Sequence, residues 1–342
     1  MIKIFGKNPD GNLKSKIEQS ANYREGEFKN LSATRMLAEE ATFMKMASEF
    51  FKADKNRVPA KEIPSVKTDL NSFSPEETSI TWFGHSSYLI SIHGKKILVD
   101  PVFSKSASPI PFVIRAFPGT SVYNADDFNE IDVLLLTHDH YDHLDYRTLL
   151  KLKGKVKSVI CSLGVASHLH YWGYDSSTIT ELDWWESTQI DSRMKITATP
   201  ARHFSGRSLK RAQTLWSSFV LESRDKRLFL GGDSGYGEHF KEIGEAFKTF
   251  DIAILECGQY NVKWPLIHMM PEQTVQAHLD LNADVLFPVH WGKFALAYHP
   301  WTEPIERLST HANKLGVKYT TPMIGQPIVI SGDLPRAEWW KS

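Results

Sequence analysis

The chain has 342 residues, 42% hydrophobic and 23% charged, the balance of an ordinary soluble globular protein. Lysine plus arginine and aspartate plus glutamate both total 40, so no overall field exists to hold a nucleic-acid backbone, and no nucleic-acid partner is expected. The two cysteines, Cys161 and Cys257, exclude a disulfide framework and lack the Cys-x-x-Cys spacing of metal or redox sites.

Residues 1–10 lack the continuous apolar core of a signal peptide, and no stretch is long and apolar enough to span a bilayer. The expectation is a cytoplasmic protein, with a transient, peripheral membrane contact left open. Residues 1–79 read as an N-terminal extension packed on the body. Its one predicted helix runs from Ser32 to Lys52, where Met36, Phe43, Ala47 and Phe50 recur at helical spacing. The polar face mixes acids and bases without the basic bias of an interfacial helix, which favours packing over membrane binding.

From Ile80 to the end the texture is that of a single larger domain, 80–342. Strands are predicted at 80–83, 88–92 and 96–99, then at 133–136, 158–161, 195–199, 218–221, 228–230, 252–255, 285–289 and 328–330. Helices are predicted at 146–151, 239–247, 271–281 and 304–315, the third opening on Pro271-Glu272, good first-turn chemistry. Strands come first and then alternate with helices, twice over, which suggests two packed sheets with helices outside. No internal repeat is visible in the sequence.

The segment Thr137-His138-Asp139-His140-Tyr141-Asp142-His143 follows the apolar run Val133–Leu136. Imidazole nitrogens with a carboxylate oxygen are what Zn²⁺ and similar borderline cations bind. Four such groups this close cannot comfortably serve one tetrahedral ion, so two neighbouring ions are the simpler reading. His203, Asp233 and His290 also stand just beyond apolar runs, where rigid strand ends hold metal geometry better than free loops.

Several ordered motifs carry a family resemblance over about residues 80–330. They are His138-x-His140-x-Asp142-His143, Trp82-Phe-Gly-His85-Ser86, Asp100-Pro-Val-Phe-Ser104, Gly231-Gly-Asp-Ser-Gly-Tyr236 and His290-Trp-Gly-Lys-Phe294. Together they resemble the metallo-β-lactamase fold superfamily, and within it the N-acyl-phosphatidylethanolamine phospholipase D-like branch. That resemblance implies a four-layer αββα sandwich. It further implies one metal on His138, His140 and His203, a second on Asp142, His143 and His290, and Asp233 bridging both. Two divalent ions are expected, Zn²⁺ first, with Mn²⁺ or Fe²⁺ as alternatives.

By the same resemblance His268, in His-Met-Met-Pro271, faces the substrate phosphate, and His85 lies beside the metals. With Asp142 they make the expected catalytic set. Asp100 is expected to support a ligand histidine by accepting its second N–H. Arg207, Lys210 and Arg211 are candidates to line the path of an anionic substrate. The apolar loop Pro109–Phe117 is expected to wall the site and to bury Phe112 and Phe117.

The implied reaction is phosphodiester hydrolysis of phospholipase D type, on lipids like N-acyl-phosphatidylethanolamine, by a metal-bridging hydroxide. The rivals are a lactone or other ester hydrolase with the same centre, and a non-catalytic, metal-stabilised scaffold. Two departures from the branch bear on substrate rather than metal: His203-Phe204 replaces His-Trp, and the segment 255–261 keeps only Gly258 and Tyr260 of the branch's pattern.

Overall fold

The computed structural model of the chain describes residues 3–39 and 55–342. A two-stranded hairpin, β1 (Tyr23–Arg24) and β2 (Glu27–Phe28), precedes two large sheets. The first half of the body supplies β3 (Ser79–Trp82), β4 (Tyr88–Ile92), β5 (Lys95–Val99), β6 (Ile131–Leu136), β7 (Val156–Ser162) and β8 (Ile179–Leu182). The second supplies β9 (Ser187–Asp191), β10 (Met194–Pro200), β11 (Ser217–Glu222), β12 (Arg227–Leu230), β13 (Ile252–Glu256) and β14 (Leu286–Val289), and β15 (Pro327–Val329) returns to the first sheet.

The sheet orders are β15-β3-β4-β5-β6-β7-β8 and β14-β13-β12-β11-β10-β9. In each, an antiparallel run changes to parallel pairing, at β5·β6 in one and β12·β13 in the other. Parallel neighbours need a crossover, and helices supply several of them, including Tyr146–Leu152, His239–Phe247 and Pro271–Asp280.

Side-chain alternation explains the layering. On β6, Val133 and Leu135 face the core between the sheets, while Leu134 and Leu136 pack with Leu149 of the helix Tyr146–Leu152. A strand apolar on both faces must be covered twice, and that makes the sandwich αββα. The helices Pro271–Asp280 and Glu303–Leu315 cover the second sheet, burying Val275, Ala277, Ile305, Leu308 and Ala312.

The extension behaves differently from its sequence expectation. Residues 32–39 are bends, a turn and irregular chain rather than the start of a helix, and the rest of the predicted helix lies outside the described residues. Earlier in the extension, a short helix at Gly11–Ile17 and the β1–β2 hairpin set Ile17 and Phe28 against Leu163, Trp184, Leu215 and Trp216. Periodicity missed that helix, Ala166–Tyr171, β8 and β9 because each is short, and the two edge strands are largely polar or half-exposed. Among the described residues no helix is long and apolar enough to cross a membrane.

Candidate metal centre

Strand ends deliver the chemistry to one rim. Thr137 continues from β6, and its N–H and hydroxyl donate to the buried carboxylate of Asp100, the residue after β5, at 2.9 and 2.5 Å. The chain then makes a helical turn, with His143 and Leu144 N–H both donating to His140 C=O. Asp145 caps the helix that follows by accepting from Arg147 N–H. His203 stands three residues beyond β10, Asp233 three beyond β12 and His290 directly after β14.

A first group gathers at His138, His140, His203 and Asp233. His138 Nε2 and His203 Nε2 lie 2.9 and 3.2 Å from His140 Nδ1. The second nitrogens fix the protons. His203 Nδ1 faces the carbonyl of Ile267 at 2.8 Å, so it must donate there. Thr137 gives its hydroxyl proton to Asp100, so its oxygen is left to accept from His138 Nδ1 at 3.0 Å. The Nε2 lone pairs of His138 and His203 therefore both point at His140 Nδ1, and with the His140 proton on Nε2 all three nitrogens are free to meet one cation. Tetrahedral Zn–N bonds of about 2.0–2.1 Å place such nitrogens roughly 3.3 Å apart, close to what is found.

A second group holds His85, Asp142, His143 and His290. His143 Nδ1 donates to Asp100 at 2.8 Å, which turns its buried Nε2 toward the carboxylates of Asp142 and Asp233. Asp142 receives His85 Nε2 at 2.9 Å and lies 3.6 Å from His143 Nε2. Asp233 offers one oxygen to each group. Its Oδ1 is 3.2 Å from His143 Nε2 and 3.1 Å from His290 Nδ1, while Oδ2 is 3.8 Å from His138 Nε2 and 3.7 Å from His203 Nε2. Burial works to raise the Asp233 carboxyl, but the imidazoles of His143 and His290 hold it well below the usual range. These donors fit the expected metal pair.

Beside the centre, His268 Nδ1 meets Glu256 Oε2 at 2.6 Å, and both lie within ligand distance of Asp233 and His290. Burial pushes the Glu256 carboxyl up. On His268, burial is outweighed by the carboxylates of Glu256 and Asp233, so the imidazole is also raised. Glu256 is the residue that sequence reasoning missed. It closes the apolar strand β13, in the segment 255–261 that departs from the family pattern. Gly235 explains why His268 comes so near: a Cβ there would stand 2.0 Å from Leu266 C=O, so only glycine lets the 266–268 loop approach Asp233.

The groups line a cleft of about 640 Å³ whose walls are largely apolar, including Pro109, Ile114, Phe204, Trp264, Ile267 and Leu296. Arg207 and Arg211 both line the cleft. Arg207 is 3% exposed, and its Nη1 and Nη2 donate to the carbonyls of Asp139, Leu144 and Ile4, so its guanidinium also ties loops together; Arg211 is exposed and stands over the Phe204 ring. One expectation is corrected there. In the apolar loop Phe117 is buried, but Phe112 is 80% exposed at the loop's tip, with exposed Ile110 and Val113 beside it.

The profile of the beta-lactamase superfamily domain matches residues 95–291. A Mycobacterium tuberculosis protein described as uncharacterized is 38% identical over 96% of this chain and 90% of its own length. The N-acyl-phosphatidylethanolamine-hydrolyzing phospholipase D 1 of Caenorhabditis elegans is 30% identical over 67% of this chain and 68% of its length. The mitochondrial enzyme of that name from Saccharomyces cerevisiae is 34% identical over 70% of the chain, which spans 52% of it. Among solved structures, Igni18, a metallo hydrolase from Ignicoccus hospitalis, superposes with a TM-score of 0.57 at 19% identity, over 75% of this chain and 99% of its own. The paired histidine and aspartate groups, the sandwich that carries them and these likenesses agree, and the chain belongs to the beta-lactamase superfamily as a metal-dependent hydrolase of the N-acyl-phosphatidylethanolamine phospholipase D-like branch.

Proposed function

We propose that the protein hydrolyses a phosphodiester that carries an apolar group, with N-acylated phosphatidylethanolamine-like lipids as the substrate class. The observation that carries this is Asp233, which turns one carboxylate oxygen to each of two ligand groups at the floor of a largely apolar cleft. Two ions held there, Zn²⁺ by the nitrogen-rich donor set, would supply a nucleophile at neutral pH and neutralise charge gathering on the phosphoryl oxygens.

The chain's own groups do the rest. Asp233 fixes the spacing of the two groups, and Asp100 and Ile267 hold His143 and His203 in one tautomer. His268, whose Nδ1 is engaged by Glu256, has Nε2 left to meet a phosphoryl or leaving oxygen and to give it a proton. Asp142, paired with His85, is the carboxylate assigned to take a proton from the nucleophile. Phe204, Trp264, Ile267 and Leu296 exclude water and suit an acyl chain better than a naked sugar phosphate. Exposed Ile110, Phe112 and Val113, and exposed Leu209 followed by Lys210 and Arg211, support transient contact with a lipid surface from the cytoplasmic side.

The test is a metal-loaded preparation assayed on long-chain and short-chain phosphodiesters, on lactones and on a β-lactam. Preferred turnover of the long-chain phosphodiester is expected, and His268→Ala should lower it about 10²–10⁴-fold with metal content intact. Turnover of lactones alone would replace the reading with ester hydrolysis, and no turnover of any would favour a scaffold.

A further inference from the structure

The extension reaches the ligand loops at two independent places. Asn30, two residues past β2, clamps the main chain of His203: His203 N–H donates to Asn30 Oδ1 at 3.1 Å, and Asn30 Nδ2 donates to His203 C=O at 2.8 Å. Trp216 Nε1 donates to the same Oδ1 at 3.0 Å. His203 lies beyond the end of β10, so this one side chain takes the place of a neighbouring strand. Asn30 is itself well held, because Phe28 is 2% exposed in the cluster with Trp216 and its N–H donates to Ala212 C=O.

The second contact runs through His168, which is fully buried. Lys7 N–H donates to His168 Nδ1 at 3.1 Å, which leaves Nε2–H to donate to Asp139 Oδ2 at 3.1 Å. Asp139 stands between His138 and His140, and its Oδ1 accepts from Gly206 N–H at 2.6 Å. It therefore joins the loop of two ligands to the loop of the third. Arg207 and Trp172 add bonds to the carbonyls of Ile4 and Lys3. Gly6, at φ +69°, allows this approach, since a Cβ there would stand 2.2 Å from His168 Nδ1. The Asn30 and His168 contacts bear on the His138–His140–His203 side of the centre, whereas Arg207 also holds the carbonyl of Leu144, beside His143.

We propose that the segment Lys3–Asn30 is a positioning strap for the His138–His140–His203 group. It acts on His203 through Asn30 and on His138 and His140 through His168 and Asp139, and so sets that group's metal affinity separately from that of the Asp142–His143–His290 group. The inference rests on the reading that both groups hold metal. A strap that merely completed the fold would affect both groups alike.

The experiment measures Zn²⁺ affinity by chelator competition in two backgrounds of the full chain. His143→Ala leaves the first group's ligands whole, and His140→Ala leaves the second's. Asn30→Ala, and separately His168→Asn, which keeps an acceptor for Lys7 and removes the donor to Asp139, are added to each. Each should weaken binding about 10–100-fold in the His143→Ala background, the usual effect of losing an outer partner, and leave it unchanged in the His140→Ala background. The two substitutions break separate contacts, so a failure of one to fold leaves the other decisive. Equal weakening in both backgrounds, or none in either, would overturn the strap. Absence of Zn²⁺ binding in either background before the added substitution would overturn the two-group reading, and the strap with it.

Discussion

Asp100 and His143 form a buried pair 2.8 Å apart, and the same carboxylate also accepts from Thr137 N–H and Oγ1. One acid thus orients His143 directly and His138 through the Thr137 hydroxyl, reaching a ligand in each group. Asp100→Asn keeps the volume but turns a donor toward one of these partners. Metal affinity should fall about 10–100-fold, measured by competition with a chromogenic chelator. Unchanged affinity would remove Asp100 from the support of the centre.

Asp233→Asn keeps the size and loses the charge that lets both oxygens face cations. The fold should survive, because the residue sits on a strand-end loop rather than in the sheets. Turnover should drop by orders of magnitude, and elemental analysis should find less metal per chain than in the wild type. Full activity with full metal content would show that the two groups do not share this carboxylate.

Lys293 is 2% exposed, with Nζ donating to the carbonyls of Phe83 and Val102. Burial lowers its pKa from 10.5 to about 7. Below pH 7 it is charged in both states, and the folded protein bears the whole desolvation cost. Between about 7 and 10.5 the unfolded chain binds the extra proton, so stability rises with pH over that window. Lys293→Met should lose this contribution, and the Tm difference, wild type minus variant, should grow from pH 7 toward 10. A difference independent of pH would place the Lys293 pKa near its ordinary value.

The apolar loop divides at Phe112. Phe117→Ala should destabilise by about 3–5 kcal/mol, the range for a deleted core phenylalanine, since Phe117 is 3% exposed and packs edge-on to Trp301. Phe112→Asp should leave Tm nearly unchanged. Ile114→Asp, in the cleft wall, should reduce turnover of a long-chain phosphodiester more than of a short-chain one. Equal losses on both would deny the wall a part in chain recognition.

The sequence by itself determined the sheets and the ligand types. Long apolar strands announce themselves by composition, and β3 to β7 and β10 to β14 fall within a few residues of their predicted bounds. The motif at residues 138–143 was legible because imidazoles and a carboxylate at alternate and adjacent positions serve few purposes other than cation binding. Tertiary structure alone decided which ring nitrogen faces inward, since that depends on Asp100, Thr137 and Ile267, which reach the ligands from other strands. It alone placed Glu256 against His268, because an acid closing an apolar strand looks like any strand terminus until its neighbours are known. Asn30 and His168 carry no local signal at all. Their meaning comes from contacts to His203 and Asp139, 173 and 29 residues away in sequence, and spacing along the chain says nothing about pairings that only the closed sandwich makes.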